Sequence, residues 1–398
     1  MLRSKPLSRC FSPGRSQDRR GNIIVLSAVA MVAMLGFVAF TVDVGFMTQT
    51  KAQMQTAADG SALAAALEMP QGWGSGKTLT SSQVATAGKS AAQTVASLHR
   101  VGEQAAAYMD TTRDVRFGQR TTSAQGAWVE TWGTSPYNMV EVTIHRDQPL
   151  AGDVATRADQ QLPLFFAKAM GNKSAALIAK ATAVLSPADG FSIVSGSTAI
   201  CPVLPIAIDD VTWNNLINSG VGTDNYSYNS STGAVTSGSD GIKEISIYPQ
   251  GTGSPGNRGT VNIGVSNNST AILSRQIRYG LNESDLAMYG GTLRIPSSGL
   301  LTLSGNPGLS AGIKDDLAAI IGQPRAIPVF TTCTGNGNNA NYTIIKFVGV
   351  RILFVQLTGN PSSKQVVVQP ATVFSTSFTS STTALQPDSI LAALKLIH

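Results

Sequence analysis

The sequence has little charge and few of the side chains that perform chemistry. Only 13% of its 398 residues are Asp, Glu, Lys or Arg, and it contains three cysteines and three histidines. The histidines, His99, His145 and His398, lack the spacing of a metal site. We therefore expect no metal ion and no cofactor, and no small-molecule substrate is indicated. A hydrophobic content of 42% argues against a disordered chain.

The net charge of +6 does not indicate nucleic-acid binding. Residues 1–22 carry six cations and one anion, which is +5 of the total and leaves about +1 for the rest. The charges of this tail are Arg3, Lys5, Arg9, Arg15, Asp18, Arg19 and Arg20. A nucleic-acid-binding domain needs a basic face on its folded part, so we expect no nucleic-acid partner.

One segment predicts a membrane anchor. Ile23 to Val42 is 20 residues without a charge, and at about 1.5 Å per residue a helix of that length spans about 30 Å, the thickness of the hydrocarbon core. A buried core helix would carry a polar stripe. A cleaved signal peptide would have a shorter apolar region of about 7–15 residues and a small-x-small site close behind it. We therefore predict an uncleaved transmembrane helix over 23–45.

The flanking charges predict the orientation of this helix. Six cations precede it, and the first cation after it is Lys51. Positive charge stays on the cytoplasmic side of a membrane. The sequence therefore predicts a single-pass protein of the cytoplasmic (inner) membrane, with residues 1–22 in the cytoplasm and the C-terminal bulk in the periplasm or outside.

Beyond the membrane the helix is expected to continue. Residues 43–69 are rich in alanine and contain no proline, whereas Pro70 is followed by Gly72, Gly74 and Gly76. Four short motifs accompany this helix, and they read Arg-Arg-Gly at 19–21, Val-Asp-Val-Gly at 42–45, Gln-Thr-Ala-Ala-Asp at 55–59 and Ala-Leu-Ala-Ala-Ala at 62–66.

These motifs and the apolar span resemble the N-terminal region of Tad-type (Flp) pilus-assembly proteins of the TadG-like group. The resemblance continues more weakly to about residue 190. It implies a membrane-anchored, pilin-like protein that assembles or tethers a thin adhesive pilus, with the lipid bilayer and other pilus-assembly proteins as partners. Prepilins carry Glu at the fifth position after the cleaved glycine, and counting from Gly21 that position is Leu26. A stationary anchor or assembly factor therefore fits better than a processed pilus subunit.

The predicted fold is α+β in two units after the transmembrane helix. A pilin-like α+β region over 46–190 combines the outer helix, a helix over 78–107 and an alternating strand at Met139–Arg146. A β-rich outer domain covers 191–398, with a helix at Thr270–Tyr279 and a long strand at Tyr342–Leu357. Ser389–Ile397 is expected to close the chain as a helix.

Three motifs suggest chemistry but lack a required part. Gly308–Gly312 has the G-x-S-x-G pattern around Ser310, yet the only histidine that follows is His398, at the end of the chain. Gly72–Thr78 resembles a phosphate loop with three residues between its glycines, where the motif needs four. The Ser195–Thr198 segment resembles a metal-binding loop of von Willebrand factor A domains, but Ile193 replaces the Asp that would bind the cation.

We therefore predict a non-enzymatic protein without catalytic residues. The main alternative to a pilus-assembly role is a membrane-tethered extracytoplasmic binding or adhesion module unrelated to pili. A tethered hydrolase using Ser310 is a third hypothesis.

The predictions for Asp43 and for the cysteines follow from the predicted topology. Asp43 is expected to be a solvated carboxylate that marks the end of the span, the alternative being a contact with a partner helix. Cys10 lies in the cytoplasmic tail, where thiols stay reduced, whereas Cys201 and Cys333 lie outside, where disulfides persist. We predict a Cys201–Cys333 disulfide; the alternative is two separate buried thiols.

The topology leads to a direct test. Alkaline phosphatase fused after Met69 should be active, because the enzyme folds only after export and the tail cations retain the N-terminus in the cytoplasm. A cytoplasmic reporter fused at the same position should be silent. The reverse pattern would contradict the orientation.

Overall fold

The computed structural model describes residues 22–123, 126–196, 200–247, 258–264, 269–335, 340–360, 363–381 and 386–397. The basic tail, with Cys10 and the Arg-Arg-Gly motif, lies outside the described residues. The described helices are α1 (Asn22–Ala66), α2 (Ser81–Ser97), α3 (Asp210–Ser219), α4 (Thr270–Tyr279), α5 (Glu283–Ala287) and α6 (Lys314–Ala318).

The described strands lie mostly in two runs, one between α2 and α3 and one after α6. The first ten are β1 (Val115–Thr122), β2 (Trp128–Trp132), β3 (Met139–Arg146), β4 (Leu162–Pro163), β5 (Ser174–Ala175), β6 (Leu177–Val184), β7 (Ala188–Ser192), β8 (Ile206–Asp209), β9 (Tyr226–Tyr228) and β10 (Val235–Ser237). The others are β11 (Ile245–Ser246), β12 (Arg258–Val261), β13 (Thr292–Arg294), β14 (Leu301–Pro307), β15 (Pro324–Thr334), β16 (Ala340–Gln356), β17 (Gln365–Pro370), β18 (Phe374–Ser375), β19 (Phe378–Ser380), β20 (Leu391–Ala392) and β21 (Lys395–Ile397).

Helix α1 is continuous over 45 residues, and its two halves have different environments. Its large apolar side chains over 23–42 are exposed, from 43% at Val42 to 74% at Phe37. Of the described residues, only this helix is long and apolar enough to cross a membrane. Its outer half buries a stripe at helical spacing, formed by Met54, Ala57, Ala58, Ala62, Ala65 and Ala66.

The outer half of α1 packs on an antiparallel sheet. The sheet has the strand order β2-β1-β3-β6-β21, and α1 lies mainly against β3 and β6. Val140, Val142 and Ile144 of β3 face the alanine stripe in a single core. Small alanine side chains let the helix backbone approach the sheet closely, and this arrangement confirms the predicted α+β unit behind the membrane helix.

Helix α2 packs beside α1 and is shorter than the predicted 78–107. Thr80 and Gln83 form a reciprocal capping box at its start. Gly88 allows the close approach, since a Cβ there would lie 2.6 Å from Phe117 and 3.0 Å from the carbonyl oxygen of Ala65. The helix ends at Ser97, and a loop carries the chain back to the membrane-proximal part of α1, where Gly102 donates to Gln53.

The second unit is built on a closed ring of strands. The sheet order β16-β14-β12-β8-β15 closes because β15 also pairs with β16, which makes a five-stranded barrel. Strand β8 shows how both faces are filled. Ala207 belongs to one core with Phe330 and Tyr342, while Ile206 and Ile208 belong to another with residues of α3, α4 and α6. Burial on both faces explains the continuous apolar sequence of this strand.

The predicted C-terminal helix over Ser389–Ile397 is wrong. This stretch forms β20 and β21 instead, and β21 pairs with β6 as the last strand of the first sheet. Leu391 is fully buried in the core beneath α1. Pairing with the open edge of β6 outweighs the weak intrinsic preference of these residues for a helix. The last residues of the chain therefore belong to the sheet of the first unit, although they were predicted within the 191–398 domain.

The glycine-rich turn after α1 joins the two units. Trp73 is buried, and its indole Nε1 donates to the Gln386 carbonyl at 3.2 Å. The Thr372 hydroxyl donates to the Trp73 carbonyl at 2.7 Å. A Cβ at Gly76 would lie 2.1 Å from the carbonyl oxygen of Pro370. Glycine is required here because the two backbones touch.

This close approach predicts a large effect for a small substitution. Gly76→Ala should destabilise the protein by about 1–3 kcal/mol, the usual cost of overpacking, and lower the midpoint of thermal unfolding of the full chain in detergent. Gly152→Ala is the matched control, because a Cβ at Gly152 meets nothing within 4 Å. Equal midpoints for the two variants would contradict the proposed contact.

Candidate functional site

The membrane-proximal end of the first unit is organised around a buried carboxylate. Asp43 is the first residue after the apolar span, and only 5% of its surface is exposed. Its Oδ1 accepts from the Phe165 amide at 2.8 Å, and its Oδ2 accepts from the amides of Phe166 at 3.0 Å and Ala167 at 2.7 Å. The expected solvated carboxylate is therefore wrong, and the alternative contact with a partner helix is replaced by one within the same chain.

The three donor amides lie where the backbone turns into a short 3₁₀ helix, Ala167–Met170. The first amides of a helix have no partner within it, and a carboxylate placed there also meets the positive end of the peptide dipoles. Gly171 ends the turn with φ +91°, in the left-handed region. The segment from Phe165 to Gly171 is thus shaped to hold the carboxylate of α1.

Further contacts fix α1 above Asp43. The rings of Phe46 and Phe165 pack with their centroids 5.1 Å apart. The Lys51 ammonium donates to the Ile178 carbonyl, and the Gln55 amide donates to the Lys180 carbonyl at 3.0 Å. Both carbonyls belong to β6, so the first turns of α1 outside the membrane are attached to the sheet edge by polar as well as apolar contacts.

Arg146, at the end of β3, joins the loops of this end of the unit. Its side chain is fully buried and pairs with Glu103 at 2.6 Å. The guanidinium also donates to the carbonyls of Val101 at 3.1 Å and Gln160 at 2.5 Å. A buried guanidinium requires such partners, and its fork-shaped set of donors lets one side chain bind the loop after α2 and the loop after β3.

A second ionic cluster lies beside it. The buried carboxylates Asp114 and Asp159 pair with Arg113 at 2.5 Å and Arg157 at 2.7 Å. The hydrogen bond to Asp114 raises the pKa of the Arg113 guanidinium above its ordinary value. Every charge named in this cluster has a partner of opposite sign, which is the arrangement of a structural network. No group of three or more His, Cys, Asp or Glu suited to a metal ion occurs among the residues that the structure describes.

Two family models match the chain over the apolar span and most of the first unit. The model described as Flp pilus-assembly TadE/G-like matches residues 21–68, and the model described as Tad-like Flp pilus-assembly matches residues 64–183. The chain carries a Tad/Flp pilus-assembly region. The predicted resemblance is thus confirmed, and the matched stretch contains the span, Asp43 and its three donor amides. No curated protein and no solved structure matches the chain.

Outside the Tad/Flp region, Ser310 has a structural position. Its hydroxyl accepts from the Gly312 amide at 3.2 Å as the cap of a short 3₁₀ helix, Ala311–Ile313. His398, the only histidine that could follow it in a triad, lies outside the described residues. The strand β14 ends at Pro307, so Ser310 is not on a sharp strand-to-helix turn.

The other two motifs also differ from the sites they resemble. Gly74 and Gly76 of the phosphate-loop-like segment face the backbone of Pro387 and Pro370, which fill the space that a phosphate would need. The Gly196 amide donates to Glu283 at 3.4 Å, while Ser197 and Thr198 lie outside the described residues.

Cys201 and Cys333, the predicted disulfide pair, are free thiols in the structure, the first buried and the second partly buried. Burial raises the pKa of the Cys201 thiol to about 12, which disfavours the thiolate at neutral pH. For the exported chain the disulfide stays a prediction that non-reducing peptide mapping tests.

A cleft of about 860 Å³ lies mainly in the second unit. The charged groups at its wall are paired with one another. Asp189 binds Arg294 at 2.8 Å, and Lys346 binds Asp388 at 2.6 Å. Asp388 also accepts from the indole of Trp213 at 2.9 Å. These pairs connect segments that are distant in the chain, and each charge of the set is bonded to another protein group.

Sequence reasoning missed both Asp43 and Arg146 as organising residues. A lone carboxylate directly after an apolar span was a signal for Asp43. Its partners are more than 120 residues away in a loop without a recognisable pattern, so their contact could not be read from spacing. The alternating pattern predicted that Arg146 ends a strand, but it did not indicate that the side chain is buried.

Removing the carboxylate should loosen this end of the unit. Asp43→Ala leaves three sequestered amides without an acceptor, which should cost about 2–5 kcal/mol locally. Hydrogen exchange at Phe165, Phe166 and Ala167, measured by mass spectrometry on the full chain in nanodiscs, should become at least about tenfold faster, since about 1.4 kcal/mol is a factor of ten.

The matched control for this experiment is Asp153→Ala. It removes an exposed carboxylate paired with Lys173 in the same region, and exposed pairs contribute little. Unchanged exchange in Asp43→Ala, or an equal effect in both variants, would contradict the role of Asp43.

Proposed function

We propose that this protein is a non-enzymatic, single-pass membrane protein that assembles or anchors a Tad/Flp-type pilus. One observation carries the proposal: the region that matches the family models also contains the contact that attaches the first unit to the apolar span. Residues 21–183 match the pilus-assembly models, and inside them Asp43 binds the loop at Phe165–Ala167.

This attachment suits a stationary part of a pilus machine. A pilus transmits force to whatever holds it, and a flexible linker between the span and the folded domain would absorb that force. Here α1 is a continuous helix through the membrane surface, and the domain is bonded to it at the first residue beyond the span. A load on the outer domain therefore reaches the transmembrane helix directly.

The N-terminal sequence supports an anchor or assembly factor over a processed subunit. Leu26 occupies the position of the prepilin Glu. The proposed topology has the basic tail in the cytoplasm and residues after 45 outside, in contact with other pilus-assembly proteins. The paired charges of the cleft and the capping position of Ser310 support a role without catalysis.

Deletion and complementation in the source bacterium test this function. The deletion strain should lose surface pili seen by electron microscopy, and the wild-type gene should restore them. Loss of an anchor should release finished pili into the medium, whereas loss of an assembly factor should leave pilin in the membrane. Ser310→Ala should complement fully, because Ser310 only caps a short helix.

Two results would contradict the proposal. Unchanged piliation in the deletion strain would exclude a role in the pilus and favour an unrelated binding module. Failure of Ser310→Ala to complement, with the protein present in the membrane at normal abundance, would instead favour the hydrolase hypothesis.

A further inference from the structure

Four large apolar side chains are exposed together at the membrane-proximal end of the first unit. Val154 is 65% exposed, Phe165 61%, Phe166 48% and Met170 76%. The two loops that carry them meet at Asp153, whose main-chain carbonyl accepts from Lys168 at 3.2 Å. We call Val154, Phe165, Phe166 and Met170 the juxtamembrane ledge.

The position of the ledge relative to the span is set by the hydrogen bonds to Asp43. The amides of Phe165 and Phe166 bind the carboxylate of the first residue after Val42. Their side chains therefore start at the height where the apolar surface of α1 ends. Aromatic side chains at that height are typical of the membrane–water interface, where an apolar ring meets hydrated headgroups.

The cations near the ledge suit the same environment. Lys168 lies between Phe166 and Met170 in the chain, and Lys173 follows closely. Lysine stems cover apolar surface while their ammonium groups stay in water; here the two ammonium groups bind the carbonyl and the exposed carboxylate of Asp153. Exposed apolar groups with neighbouring cations are the composition of a surface that rests on anionic lipid.

We propose that the juxtamembrane ledge inserts into the outer headgroup region of the bilayer, as a second membrane contact beside the transmembrane helix. The inference rests on the membrane anchor of the proposed function. One helix alone leaves a domain free to tilt about the point where it leaves the membrane. A second contact, held to the first by Asp43, fixes the tilt of the sheet against the membrane plane.

Site-specific photo-cross-linking tests the proposal on the full chain. The photoreactive residue p-benzoylphenylalanine replaces Phe166 or Met170 in separate variants, each reconstituted as one copy per nanodisc of phosphatidylethanolamine and phosphatidylglycerol. Both positions are exposed, so a larger side chain fits. After irradiation, intact-protein mass spectrometry measures the fraction that carries a lipid adduct.

Two further positions serve as controls. Phe37 lies within the span and is 74% exposed, so it reports the anchor itself. Leu98 is 76% exposed at the end of α2. Its neighbour His99 lies near Gly60 of α1, seventeen positions beyond Asp43 and thus about 25 Å from the membrane surface. We expect lipid adducts at 37, 166 and 170, with yields several times that at 98.

The controls separate the possible failures. Adducts at 37 with only the Leu98 level at 166 and 170 would overturn the ledge and leave the anchor intact. Absence of adducts at 37 as well would remove the membrane anchor and the ledge with it. In discs loaded with two copies, protein–protein adducts at 166 in place of lipid adducts would assign the surface to a second copy and overturn the proposal.

Discussion

The architecture depends on one buried carboxylate at the point where the apolar span of α1 ends. Burying the charge of Asp43 costs several kcal/mol unless hydrogen bonds replace the lost water. Three backbone amides from Phe165 to Ala167 provide this replacement, and hydrogen bonds to a charged group contribute more than neutral ones, about 1.5–3 kcal/mol each. Because the donors are main-chain groups of one turn, the interaction fixes the position of the loop along α1 as well as its contact with it.

The same helix has to satisfy two different environments. Over 23–42 apolar side chains are exposed on all sides, as lipid requires. From Met54 outward, the buried side is mostly alanine, which lets the sheet backbone approach. Between these parts lies a short stretch where polar contacts dominate, through Asp43, Lys51 and Gln55. Packing of Phe46 against Phe165 adds an apolar contact to this stretch.

Strong local patterns predicted much of the fold, and long-range pairing decided the rest. Met139–Arg146 alternates, and Thr270–Tyr279 lies between a serine cap and a glycine, so both elements were predicted with the bounds that the structure has. The C-terminal residues carry a pattern that suits either helix or strand, and the free edge of β6, more than 200 residues earlier, selects the strand. Closure of the barrel through β15 and β16 depends likewise on which edges meet, a property that no local window contains.

The candidate site was the least predictable part for the same physical reason. The resemblance drew attention to 42–45, but the contact of Asp43 with Phe165–Ala167 is a set of tertiary hydrogen bonds whose donors are main-chain amides. Every residue except proline has such an amide, so the identity of a side chain does not indicate whether its main-chain amide binds Asp43. The burial of Arg146 raises the same difficulty, since its partners include the carbonyls of Val101 and Gln160.

The contacts between the two units connect the barrel to the sheet that Asp43 helps to hold on α1. The outer barrel follows the first unit in sequence, yet β21 returns to pair with β6, and the turn at Trp73 bonds to Thr372 and Gln386. One strand pairing, two hydrogen bonds of Trp73 and a backbone contact at Gly76 therefore resist hinge motion between the units. A unit held at one point can pivot. The barrel is held at β21 and at the buried Trp73, so a pivot would break the pairing of β21 with β6. A displacement of the barrel would consequently act on β6, which bonds to α1 at Lys51 and Gln55, beyond the carboxylate that ties the domain to the end of the apolar span.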